Sequence, residues 1–181
     1  MTRAARIALL LLLTYWTWLF LAYPMREDII GASVLHLPDL IFHEAGHILF
    51  SPFGVFMTTL GGSLNQVLIP IVCAIAFFRN GDLFGVAVMG WWTGQNLLDV
   101  AIYINDSRAL QLTLVGGFTG AEVEGHDWER LLTMTNALHL DHRIAGIVQF
   151  AGGALMIGSL VYGFLVAGAA PITGWRNTKI R

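Results

Sequence analysis

Residues 38–50 read Pro38-Asp39-Leu40-Ile41-Phe42-His43-Glu44-Ala45-Gly46-His47-Ile48-Leu49-Phe50. Histidines four apart share one face of an α-helix, so both imidazoles can reach a single metal ion. Glu44 lies about 100° around the helix from His43 and about 60° from His47. From there its carboxylate can take a proton from a water that zinc acidifies to a pKa of about 7. The pattern is short, and its setting gives it weight. The two histidines and the glutamate interrupt an apolar stretch, where polar groups are costly unless they are paired or put to use. A pair of hydrogen-bonded core histidines is the plain structural alternative.

The rest of the chain places that stretch in a membrane. Of 181 residues, 56% are hydrophobic and only 12% charged, against about 25% charged in a soluble domain. Residues 7–25, 45–78 and 144–175 contain no Asp, Glu, Lys or Arg, and about 20 apolar residues suffice to cross the hydrocarbon core. The expected fold is therefore all-α: a polytopic helical membrane protein with about four or five transmembrane or re-entrant helices in one domain over residues 1–181. A net charge of −2 and the lack of a basic run exclude a nucleic-acid partner. Cys73 is the single cysteine and cannot form an intrachain disulfide. Arg3 and Arg6 precede the first apolar run as in a signal peptide, but no small-x-small cleavage site follows, so an uncleaved anchor helix is expected.

Helices are expected over about 7–23, 38–51, 63–78, 83–104 and 144–166, with a polar interfacial region over about 106–141 that holds a short helix around 128–138. Pro24 ends the first helix and Pro38 starts the second. At fourteen residues or so, the motif helix rises roughly 21 Å. That is short of a full crossing, so it either ends within the membrane or is completed by the residues before Pro38. Gly61-Gly62 reads as a turn, and the tail over 174–181 carries Arg176, Lys179 and Arg181.

A catalytic zinc centre needs a third protein ligand and an open position. Trp92, Asn96, Asp99 and Tyr103 form one stripe at helical spacing, which Asp106 extends. Asp99 lies deeper in the apolar run, where an unpaired carboxylate is expensive. Asp106 lies at the helix end, where Arg108 can simply pair with it. Asp39, four before His43, either accepts a hydrogen bond from that ring's free nitrogen or caps the helix start behind Pro38. His36 reads as an interfacial polar residue. A second polar cluster holds His126-Asp127 and His139-x-x-His142 around Asp141. It fits a second metal site, a His126 that completes the first site or steadies a tetrahedral intermediate, or an ordinary interface with Trp128 in an aromatic belt.

The order of these parts, over about residues 38–110, resembles the site-2 protease group of membrane metalloproteases. Members carry His-Glu-x-x-His on a transmembrane helix, then a Gly-Gly-Pro-Leu-x-Asn segment, then an aspartate ligand on a later helix. Gly61-Gly62-Ser63-Leu64-Asn65 resembles the middle motif with serine for proline. Asn105-Asp106-Ser107-Arg108, with Asn96-Leu97-Leu98 upstream, resembles a diverged form of the last, without its glycines. The resemblance implies an intramembrane zinc metallopeptidase. His43, His47 and Asp106 would hold Zn2+, with Asp99 the alternative third ligand, Glu44 as base, and Asn65 holding a substrate strand. The substrate or partner would be a membrane protein or complex in the lipid bilayer, and the location a multi-pass position in a bacterial inner membrane. The competing reading is a non-catalytic membrane subunit or assembly factor of a larger complex on a peptidase-like scaffold. A haem or copper carrier is a third, since paired histidines bind those as well.

Overall fold

The computed structural model of the chain describes residues 1–169; the basic tail read over 174–181 lies outside them. All regular structure among the described residues is helical, apart from an isolated bridge between Thr113 and Thr119. Helix α1 covers Arg3–Ala22, a short α2 covers Glu27–Ile30, and α3 covers His36–Phe50. Helix α4 covers Val55–Arg79, α5 covers Leu83–Asn105, α6 covers Asp127–Met134 and α7 covers Asp141–Val166. Thr2 caps α1 by accepting the Ala5 N–H at 3.2 Å, and Asp82 caps α5 by accepting the Gly85 N–H at 3.0 Å.

Helix α1 begins at Arg3 and α6 ends at Met134, each about four residues earlier than expected, and three further boundaries differ. Helix α3 begins at His36, not Pro38, which puts the proline in the first turn, where its missing N–H costs nothing. Helix α7 begins at Asp141, three residues before the charge-free run. The third difference matters most: α4 begins at Val55, so Gly61 and Gly62 lie inside a 25-residue helix and form no turn. Gly54, at φ +89°, makes the corner between a 3-10 turn over Ser51–Phe53 and α4, a conformation that glycine adopts without strain. Glycine inside a helix costs about 1 kcal/mol relative to alanine. The close packing of α3 on α4 offsets that cost.

Among the described residues, three stretches are long and apolar enough to cross a membrane: Arg3–Ala22, Val55–Arg79 and Leu138–Val166. Their outer faces expose large apolar side chains, among them Leu11, Trp18, Val72, Ile75, Ile147 and Phe150. Apolar surface of this extent marks a face that meets a membrane or another protein. Helix α5 is enclosed by its neighbours, with Gln95 and Asn96, both fully buried, and Asp99 inside the bundle. It meets α7 at backbone distance: a Cβ on Gly94 would lie 2.7 Å from the Gly152 carbonyl oxygen, and one on Gly152 equally close to that of Gly94. On its other side, the Trp91 indole N–H donates to Thr17 Oγ1 of α1 at 2.7 Å, with both residues buried.

Candidate metal centre

The site grows from the contact between α3 and α4. Gly46 and Gly61 face each other there, and a Cβ on Gly46 would collide with the Gly61 carbonyl oxygen. Their bare backbones let α3 settle against α4. Asn65 locks the pair by donating its amide to the Phe42 carbonyl at 2.7 Å. Settled this way, α3 turns His43 and His47 inward, with ring centroids 4.9 Å apart. The ligand atoms of His43, Glu44 and His47 all lie within 4.8 Å of one another, so the group can hold a metal ion.

Both imidazoles are oriented through their inner nitrogens. His43 Nδ1 meets Gln66 Oε1 at 2.7 Å, and His47 Nδ1 donates to the Thr58 carbonyl at 2.8 Å. Each Nε2 is thereby left for the site, the arrangement that metal-binding histidines need. Directly beneath lies Gly62. A Cβ there would overlap His43 Nε2 and come within 2.7 Å of His47 Nε2. The residues present thus leave a space bounded by two imidazole nitrogens, a donor set that zinc accepts.

Facing that space is Asp127, the first residue of α6. Its Oδ2 stands 3.0 Å from His43 Nε2 and 3.2 Å from His47 Nε2. Three contacts hold it there. The Asp127 N–H donates to the Tyr103 hydroxyl at 3.0 Å, Trp128 donates its indole N–H to Ser63 Oγ at 3.0 Å, and His126 Nδ1 accepts the Glu129 N–H at 3.1 Å as the helix cap. Burial pushes the Asp127 carboxyl up, but the two imidazoles more than offset it and hold the group below the usual carboxylate range. Burial also pushes the His126 imidazole down.

The other expected residues have different partners. The Asp106 carboxylate accepts the Gln111 and Leu112 N–H groups, each at 3.0 Å, and so caps the loop that follows α5. His126 Nε2 faces it at 3.3 Å, too poorly aligned for a hydrogen bond. Arg108 pairs with the buried Asp141 at 2.7 Å instead. Asp99 accepts from Gln66 Nε2 at 3.2 Å and meets His36 Nδ1 at 2.9 Å. The Asp39 carboxylate accepts the Trp92 indole N–H at 2.8 Å, and His43 Nδ1, one of the two partners the sequence offered it, meets Gln66 Oε1 instead. Asn96 donates to the Trp92 carbonyl at 3.0 Å within its own helix. Asn65, expected to hold a substrate strand, spends its amide on α3.

A cavity of about 810 Å³ opens onto this centre, lined in part by His36, Glu44, His47, Asp99, Tyr103 and Arg130. Leu112, Thr113 and Val115, from the loop between α5 and α6, also line it. The loop is tied across its base by the Ala121 N–H donating to the Leu110 carbonyl at 3.1 Å, a compact form typical of functional surface loops. Sequence reasoning missed Asp127 as a partner of the histidine pair and Gln66 altogether. The only signal for Asp127 was its place beside His126 in the one sizeable polar region of the sequence. Compared with known protein families, curated proteins and solved structures, the chain matches none.

Proposed function

We propose that this chain is a membrane-embedded zinc metallopeptidase, similar in kind to the site-2 proteases, that hydrolyses peptide bonds in membrane or membrane-proximal protein segments. The observation that carries this reading is the convergence of His43 Nε2, His47 Nε2 and Asp127 Oδ2 beside Glu44, at the wall of a cavity large enough for a peptide. In this reading His43, His47 and Asp127 hold the ion, and Asp127 takes the place expected of Asp106. Two histidines and a carboxylate form a known catalytic zinc set that leaves a position open. Zinc held by these three side chains would supply a Lewis acid for a water molecule and for the scissile carbonyl.

The remaining work falls to the chain's own groups. Glu44 takes the proton of the attacking water and passes it to the leaving amine, a transfer worth about 10²–10⁴ in rate. The segment to be cut enters unwound, because a helical peptide bond is shielded by its own hydrogen bonds. With several apolar helices, the protein would sit as a multi-pass component of a membrane, in bacteria the inner one, acting on a membrane-protein substrate or within a partner complex. The test is to purify the full chain in detergent, measure zinc per chain, and assay cleavage of a membrane-segment substrate. Glu44→Gln should keep its metal and lose about 10²–10⁴-fold in rate. Wild type without metal overturns the reading, and undiminished cleavage by Glu44→Gln overturns the assigned base.

A further inference from the structure

Three helices converge behind His43. Gln66, on α4, is almost fully buried and uses both ends of its amide. Its Nε2 donates to Asp99 Oδ2 of α5 at 3.2 Å, and its Oε1 meets His43 Nδ1 of α3 at 2.7 Å. The direction of the amide is fixed by chemistry: an ionised carboxylate only accepts, so the NH2 must face Asp99. Oε1 then faces His43, whose Nδ1 must carry a proton and donate. That choice of tautomer leaves the Nε2 lone pair for a metal. His36 Nδ1 lies against the other Asp99 oxygen at 2.9 Å and holds the carboxylate in place.

We propose that Gln66 is a positioning residue for the metal centre, with Asp99 as the group that fixes its amide. The proposal rests on the reading of His43 and His47 as metal ligands. The two histidines differ in this respect. His47 is oriented by a backbone carbonyl, that of Thr58, which no substitution removes. His43 is oriented by a side chain and can be released. The neutral amide also has a reason: a carboxylate directly on His43 would add a buried charge beside Asp127 and Glu44, whereas glutamine leaves the negative charge one residue further back.

The experiment measures metal affinity in the detergent-purified full chain by competition with a chelator, using Zn2+ alone as the probe. Gln66→Leu should weaken binding by about 10–100-fold, the usual loss when the partner of a ligating histidine is removed. Gln66→Glu alone sets a carboxylate against Asp99 and should also weaken it. Gln66→Glu combined with Asp99→Asn exchanges donor and acceptor and should restore binding towards wild type. Wild-type affinity in Gln66→Leu overturns the proposal. A double variant no tighter than Gln66→Glu also overturns it, and decides the matter even if Gln66→Leu does not fold. Failure of the metal reading is distinct: wild type itself then takes up no zinc.

Discussion

Asp127 Oδ2 lies 3.0 Å from His43 Nε2, across a separation of 84 residues. That contact joins the motif helix α3 to the short helix α6, and in the proposed reading it makes Asp127 the third ligand. Asp127→Asn should lower zinc affinity and cleavage together, since the substitution removes a charged ligand at almost constant volume. Asp106→Asn should leave zinc content near one per chain, because Asp106 spends its carboxylate on the loop N–H groups of Gln111 and Leu112. Metal analysis of the two variants side by side checks this. Zinc lost from Asp106→Asn and kept by Asp127→Asn would return Asp106 to the ligand set.

The contact between Thr17 and Trp91 offers a test of the helix bundle that is independent of any metal. Hydrogen bonds between membrane helices are worth about 0.6 kcal/mol on average and up to about 1.7. Thr17→Val keeps the shape of the side chain but leaves the buried Trp91 N–H without its acceptor. The cost should therefore sit at the upper end, since an orphaned buried donor loses its full desolvation penalty. Unfolding in mixed micelles measures it. Adding Trp91→Phe should remove the orphan, so the double variant should cost less than the sum of the two single ones. Simple additivity would show that the two side chains do not interact.

The legible parts of the sequence were those carried by short-range spacing. His43 and His47 sit four apart, so their shared face could be read directly, as could the long apolar helices of the charge-free runs. The stripe of Trp92, Asn96, Asp99 and Tyr103 was also readable as one face of α5, yet none of its partners was. Whether Asp99 meets a metal or an amide depends on where α4 places Gln66, 33 residues away. Asp127 was hidden for the same reason. Gly61 and Gly62 misled because local propensity marks paired glycines as a break, whereas here they let one helix approach another and leave room for two imidazoles. Asp106 lay in a motif-like segment, but loop capping claims the same carboxylate.

Chelation should destabilise the wild-type protein. A ligand that binds only the folded state stabilises it by about 2.7 kcal/mol when its free concentration is 100 times its dissociation constant. Thermal unfolding with zinc in excess should therefore occur at a higher temperature than after treatment with a strong chelator. Asp127→Asn should show a smaller difference between the two conditions. Identical melting of wild type with and without chelator, after verified removal of the ion, would mean that the centre contributes nothing to the fold.

Gly62→Ala is the most economical test of the site's geometry, because one methyl group enters the space between the two Nε2 atoms. The added Cβ would overlap His43 Nε2 and approach His47 Nε2 to 2.7 Å. Elsewhere in a helix the same change would be favourable by about 1 kcal/mol. Here the gain in helix propensity opposes overpacking, which costs typically about 1–3 kcal/mol, so the net change in apo-protein stability should be small. The metal should respond far more strongly, since the imidazoles must swing away from the position they share. The expected outcome is a folded protein of near wild-type helical content that has lost most of its zinc. Wild-type zinc affinity in Gly62→Ala would show that the ion does not sit above this glycine, and the assignment of both Nε2 atoms would fall with it.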